Sequence, residues 1–228
     1  MNILIFGATG MVGQAVLREC LLDPGVTRVV ALGRSPARDT PIGRLPEATG
    51  KLEDLHHADM FDYSAVEGRL TGFDACFFCL GVSSAGMSEA AYTRVTYDLT
   101  LAAATTLARL NPQMVFTYVS GRSTDSTEQG PVMWARVKGR TENALLKLPF
   151  RAAHMFRPGV IEPLDSIRPK SRVYRAAYLL LMPFLSLVKF LWPQATLTTT
   201  RQVGRAMLAV ARVPGPKQSL EVADINAL

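Results

Sequence analysis

Trp134 and Lys138 stand four residues apart in the stretch MWARVKG, a spacing that puts both side chains on one face of a helix. With a tyrosine in the first position, the pair would form a proton-transfer device, the lysine lowering the phenol's pKa. Trp134 offers instead an indole N–H, which donates a hydrogen bond but carries no titratable proton near neutral pH. What Lys138 does must therefore be read from the rest of the chain.

A second constellation lies at the start. IFGATGMVG places Gly7, Gly10 and Gly13 between an apolar run and a helical one. Glycines there permit a tight turn, close approach of backbone to a pyrophosphate, and close helix–strand packing. The helix N-terminus adds amide donors and a favourable dipole. Thr9, Met11 and Val12 belong to the same turn and are expected to bind the cofactor with it. At the end of the next apolar run, an acidic residue would bind adenosine ribose hydroxyls, whereas an arginine accommodates a 2′-phosphate. The chain has LGRS, so Arg34, with Ser35 and Arg38 nearby, predicts NADP in preference to NAD. Asp59 and Met60 are placed to border the adenine, and Leu80 and Gly81 to run beside the cofactor.

These residues must be held by regular elements, and the sequence supplies them in alternation. Apolar runs at 2–7, 27–34, 55–60, 73–81, 113–121 and 151–159 read as strands. Helical stretches at 11–22, 88–110 and 131–147 separate most of them, with a shorter one in YSAVEGRL and a Pro/Gly-rich connection over 35–54. Strands apolar throughout, alternating with helices, predict an α/β fold: a doubly wound parallel sheet with helices on both faces. A helix over 200–212 and a last short strand in SLEVAD complete the reading. The 228 residues, 48% hydrophobic and 19% charged, suit a single domain in which 160–228 contribute a small substrate cap.

The assembled motifs resemble the atypical short-chain dehydrogenases/reductases (SDRs). They are GATGMVG at the start, HHAD after the third strand, FFCLG ending the fourth, YVSG ending the fifth, the aromatic-x-x-x-Lys, and FRPG ending the sixth. The resemblance is to the compact branch with Tat-interacting-protein-type and NmrA-like proteins and chains of NAD-dependent epimerase/dehydratase type. It implies a serine after strand five and a Tyr-x-x-x-Lys as the chemical groups, carried over to Ser120, Trp134 and Lys138. Lys138 would bond the nicotinamide ribose. Trp134 would either stack on substrate or nicotinamide, or fill the core. Pro158, Gly159 and Val160 would line the cofactor, and Arg157 would meet a substrate anion or hold the loop by an ion pair. As replacement proton donors, Tyr118 reads as buried. Ser123, Thr124, Asp125 and Glu128 are open candidates, and Tyr92 and Tyr97 read as core or subunit contacts.

The charge of +6 suits an anionic ligand or surface. Basic residues cluster only at 168–175, ahead of an apolar run from 174 to 192, and no nucleic-acid motif appears. That region is expected to cap the substrate pocket, with peripheral membrane contact through 168–193 as the alternative. Cys20, Cys76 and Cys79 form no disulfide framework. Cys76 and Cys79, three apart on a strand, face opposite sides roughly 10 Å apart. With no signal peptide at the N-terminus, a cytoplasmic location is expected. Two functions follow: an NADP-dependent oxidoreductase or epimerase-like enzyme on a small hydrophobic carbonyl substrate, or a non-catalytic NADP(H) sensor that binds a protein partner.

Overall fold

The computed structural model describes residues 1–165, 167 and 197–228. Strands β1 (Asn2–Phe6), β2 (Arg28–Gly33), β3 (Leu52–His56), β4 (Ala75–Phe78), β5 (Val115–Val119) and β6 (Ala152–Arg157) lie in one sheet. Residues 160–162 and 197–199 form β7 and β8, a separate parallel pair. The last strand, β9 (Ser219–Glu221), returns to the main sheet beside β6. The resulting order is β3-β2-β1-β4-β5-β6-β9, parallel throughout. It reverses direction between β1 and β4, the place where an open α/β sheet leaves a ligand crevice beyond its strand ends.

The apolar strands are explained by burial on both faces. Ile3 and Ile5 of β1, with Ala75 and Phe77 of β4, enter one core. It is closed by helix α1 (Met11–Leu22) and by a C-terminal helix spanning Thr200–Arg212. Leu4, Phe6, Cys76 and Phe78 enter the opposite core. There the cover comes from a helical run made of α2 (Glu89–Thr93), a π-helical segment (Arg94–Asp98) and α3 (Leu99–Leu110), together with α4 (Met133–Leu145). The Thr200–Arg212 helix is α5, and Val222–Ala227 is α6. Cys76 packs in one core and Cys79 against the other, as the strand alternation requires. All three thiols are free.

Local chemistry sets the boundaries. Thr199 caps α5 with a full capping box, its hydroxyl accepting from Gln202 N while Gln202 Oε1 accepts from Thr199 N at 3.0 Å. Lys51 closes the other end of the layer, donating to the Leu21 and Asp23 carbonyls at the C-terminus of α1, at 2.8 and 2.7 Å. A cation there meets both the orphan carbonyls and the negative end of the helix dipole. Gly204 lets α5 approach α1, since a Cβ there would lie 3.0 Å from the Ala15 carbonyl oxygen.

Several boundaries differ from the sequence reading: of SLEVAD only Ser219–Glu221 is strand, and Val222 starts α6. β3 is Leu52–His56 and not 55–60, because LEDLH forms a half-exposed edge strand paired only with β2. The 35–54 connection folds into three short 3-10 turns at 37–39, 42–44 and 46–48. The 88–110 helix contains the π-helical turn. Residues 197–228 complete the sheet and its α1 face. The expected cap and membrane-contact segment, 168–193, lies outside the described residues.

Candidate functional site

The glycine turn sits at the sheet's reversal point. Gly7 holds φ +75, and a Cβ on it would lie 2.9 Å from the Cys79 carbonyl group at the end of β4. A side chain at Gly13 would drive into the Gly7 carbonyl, so α1 can start this close to β1 only with glycine there. Gly10 donates to Gly7 O at 2.9 Å and, as the N-cap of α1, offers the helix amides no side-chain acceptor of its own. Gln14 Nε2 fixes the turn from within by donating to Thr9 O at 3.2 Å. Met11 and Val12 start the helix, half-buried against the α1 core. Uncapped amides at a helix N-terminus, pressed against the end of β4, form a cradle that fits a pyrophosphate.

Around this cradle the expected residues fall as follows. Arg34 and Ser35, just past β2, are exposed, and Arg34 has no ion pair among the described residues. Arg38 is not free to join them: its guanidinium donates to the Leu52 carbonyl and lies 3.8 Å from Asp54. Asp59 is exposed three residues beyond β3, its carboxylate accepting from Phe61 N at 2.9 Å. Met60 is buried with Leu55 and Tyr63 in the second core. Leu80 and Gly81 follow β4 directly, Leu80 half-buried and Gly81 exposed.

The second cluster is built on β5 and α4. Lys138 Nζ donates to the Val119 carbonyl at 3.4 Å and lies 5.5 Å from the centre of the Tyr118 ring. Burial pushes the ammonium down to about 8, against an upward pull from the Glu142 carboxylate one turn along the helix. Trp134 is half-buried with its ring edge over Gly121, where a Cβ would be 3.8 Å away. Ser120 is 8% exposed, its hydroxyl 2.8 Å from that of Thr124. Thr124 in turn donates to Gly121 O at 2.7 Å. One hydroxyl carries one proton, so Ser120 donates to Thr124 and keeps only acceptor lone pairs for anything else.

The other candidates for proton transfer are buried or engaged, except Ser123. Tyr118 is fully buried, and burial raises its phenol far above the usual range. Tyr92 is buried, and Tyr97 lies 4.6 Å beneath the Arg140 guanidinium. Asp125 accepts from Thr127 and Gly130 within its own loop, and these bonds hold its carboxyl below the ordinary value. Glu128 accepts from Asn143 at 2.7 Å, and Ser123 is exposed at φ +66. His154 bonds the Lys217 carbonyl through Nδ1, while its buried Nε2 has no partner among the described residues.

Arg157 resolves in favour of an ion pair. Its Nε lies 3.1 Å from Glu142 Oε1, and it also reaches Glu221 at 3.2 Å and Ser126 Oγ at 2.6 Å. The adjacent carboxylate raises the Arg157 pKa. Glu142 is 1% exposed, so this pair welds α4, the ends of β6 and β9, and the 122–130 loop together. Pro158 is buried and its carbonyl accepts from Arg122 N at 3.1 Å; Gly159 is half-buried, and Val160 opens β7 exposed. Sequence reading missed Glu142 and Gly139. A Cβ on Gly139 would strike the Asp125 carbonyl, so this glycine lets the loop press on α4 beside Lys138. Its signal was available, a glycine inside a helix.

Known proteins share this chain's family and its fold. The family model described as NAD dependent epimerase/dehydratase family matches residues 3–131. Protein fmp52, mitochondrial, of Emericella nidulans is 28% identical over 178 residues, covering 76% of this chain and 73% of its own. Protein HTATIP2 of Rattus norvegicus is 26% identical over 163 residues, covering 70% and 62%. Among solved structures, an oxidoreductase of the short chain dehydrogenase/reductase family from Burkholderia thailandensis superposes with a TM-score of 0.68. It is 17% identical over 99% of this chain and 92% of that one, which establishes a shared fold. The cytoplasmic expectation is corrected by the relatives, of which the fungal ones are named mitochondrial. Free thiols do not distinguish one reducing compartment from another. No helix among the described residues is long and apolar enough to cross a membrane.

Proposed function

The chain belongs to the NAD dependent epimerase/dehydratase family, and on that premise we propose that it is an NADP(H)-binding SDR-like oxidoreductase or epimerase-like enzyme acting on a hydrophobic carbonyl compound. The family binds nicotinamide cofactors, and the preference for NADP rests on Arg34. Its exposed guanidinium stands at the end of β2, where a 2′-phosphate is recognised, and no carboxylate among the described residues claims it. When bound, the cofactor supplies a hydride. The chain's own residues do the rest: the Gly7–Gly13 turn and the α1 amides hold the pyrophosphate, and Lys138 bonds the ribose. Leu80, Gly81 and the Pro158–Val160 loop line the nicotinamide side, and Ser120 and Trp134 meet the substrate.

The observation that carries this reading is the uncapped amino end of α1, pressed by three glycines against the end of β4. A second reading has its own support: a non-catalytic NADP(H) sensor that binds a protein partner. Trp134 cannot titrate, and the Ser120 proton is already directed at Thr124.

Paired titrations with NADPH and NADH test the cofactor assignment. NADPH is expected to bind tighter, and Arg34→Ala to weaken NADPH about tenfold, near 1.4 kcal/mol, while leaving NADH unchanged. Equal loss for both nucleotides removes the 2′-phosphate role, and binding of neither overturns both readings.

A further inference from the structure

The α4 cluster contains a titratable amine where the family resemblance leads one to expect a phenol beside it. Resting on the nicotinamide reading above, we propose that Lys138 is the proton carrier of the site: it gains a proton as the anionic dinucleotide enters, and this proton is the one passed to the substrate oxygen.

Geometry narrows the choice to this group. Ser120 and Thr124 form a chain whose protons end on the Gly121 carbonyl, so neither hydroxyl presents a free proton. Trp134 has none to lose. Lys138 Nζ lies against the peptide that leads into Ser120, with one long hydrogen bond at 3.4 Å and a ring face beneath it. An ammonium has three N–H donors, so two remain for a ribose hydroxyl and a substrate oxygen.

The charged and titratable groups facing Lys138 leave it poised. On its own helix, Glu142 favours the ammonium, but that carboxylate is already shared with Arg157 from β6. From β5, Tyr118 contributes only a neutral ring, and Tyr92 from α2 is buried on the same side. From the 122–130 loop, the Asp125 carboxylate is turned into its own turn. Arg136 is held by Glu89 and Gly130, and Arg140 by Thr93 and the Tyr97 ring. Burial is thus opposed by only part of one negative charge, which is why the amine titrates near 8. The phosphates of an incoming dinucleotide add negative charge and draw the amine back to its protonated form.

The chemical step then balances. The substrate carbonyl carbon accepts a hydride, the two-electron reductant being the reduced nicotinamide cofactor. The carbonyl oxygen takes a proton from Nζ, one N–H bond breaking as one O–H bond forms. Lys138 is left as a neutral amine and regains its proton from water.

The test needs no substrate. NADPH is titrated calorimetrically into the protein at pH 8 in phosphate and in Tris, buffers that absorb very different heats when they give up a proton. An amine half-protonated at pH 8 takes up about half a proton per site on binding. The apparent enthalpy should therefore differ between the buffers by about half of their difference in ionisation heat. Lys138→Arg, which stays charged, and Lys138→Met, which carries no charge, should both bind NADPH with the same enthalpy in either buffer. Acylation of Lys138 across the pH range, read by mass spectrometry, should show a midpoint near 8 that rises when NADPH is present. Binding without buffer dependence, or buffer dependence retained in both variants, overturns the inference alone. An acylation midpoint above about 10 does the same. Absence of NADPH binding overturns the cofactor reading and this inference with it.

Discussion

The β1–α1 turn and the amino-terminal half of α4 belong to one proposed site, yet they are made of different materials. At the turn the working parts are backbone: glycines that allow close approach and amides that no side chain caps. On α4 the working parts are side chains whose behaviour depends on neighbours from β5, β6 and the 122–130 loop. The family match covers residues 3–131, which includes the first region and stops short of Trp134 and Lys138. A backbone device tolerates few substitutions, so its glycines persist and can be recognised. A side-chain device can be rebuilt one residue at a time, and under the proposed reading Trp134 is such a change.

That contrast can be broken by substitution. Gly13→Ala should have the largest effect, because its Cβ has only the Gly7 backbone to displace. A loss of about 3 kcal/mol in urea unfolding is expected, with nucleotide binding lost alongside. A loss below about 1 kcal/mol would show that the turn can relax and is no rigid device. Arg157→Ala comes next. It leaves the 1% exposed Glu142 carboxylate unpaired, at a cost of about 3 kcal/mol for a fully buried pair, reduced to about 2 kcal/mol because water reaches the 12% exposed arginine. An unchanged unfolding midpoint would make the pair incidental. Trp134→Tyr should change stability least, within about 1 kcal/mol, since one large aromatic replaces another in a half-buried place. Its value lies in the readout: faster NADPH oxidation with carbonyl probes than in the wild type would show a site that still accepts the usual phenol chemistry. No oxidation by either protein would favour the sensor.

Sequence legibility followed the same division. The glycine turn could be read because each glycine answers a backbone demand visible in spacing alone. The order of strands and helices could be read because both faces of the sheet are covered, leaving unbroken apolar runs such as NILIF and ACFF. The helix read over 200–212 matches Thr200–Arg212 at both ends. β3 was misplaced because an edge strand with one neighbour carries mixed polarity, so LEDLH looked less strand-like than the residues after it. The π-helical turn at 94–98 has no compositional signature. The Arg157–Glu142 pair joins residues 15 apart on different elements, and no local pattern announces it. Arg38 sat at a suggestive position, but the neighbouring strand's Leu52 carbonyl and Asp54 engage it.

The docking of α5 on α1 has a consequence for how the protein comes into being. Arg205 reaches Glu19 across 186 residues of chain, and Gly204 touches the turn of α1 that contains Ala15. During synthesis at about 5–20 residues per second, the helix that carries the glycine turn therefore waits roughly 10–40 s for the partner that covers its other face. Until then its apolar side is open to anything else in reach, including a neighbouring nascent chain. For that interval the N-terminal half, which holds the most recognisable motif in the sequence, presents apolar surface of the kind that chaperones shield. A stalled or truncated product ending before α5 would carry the complete glycine turn and still be prone to aggregate.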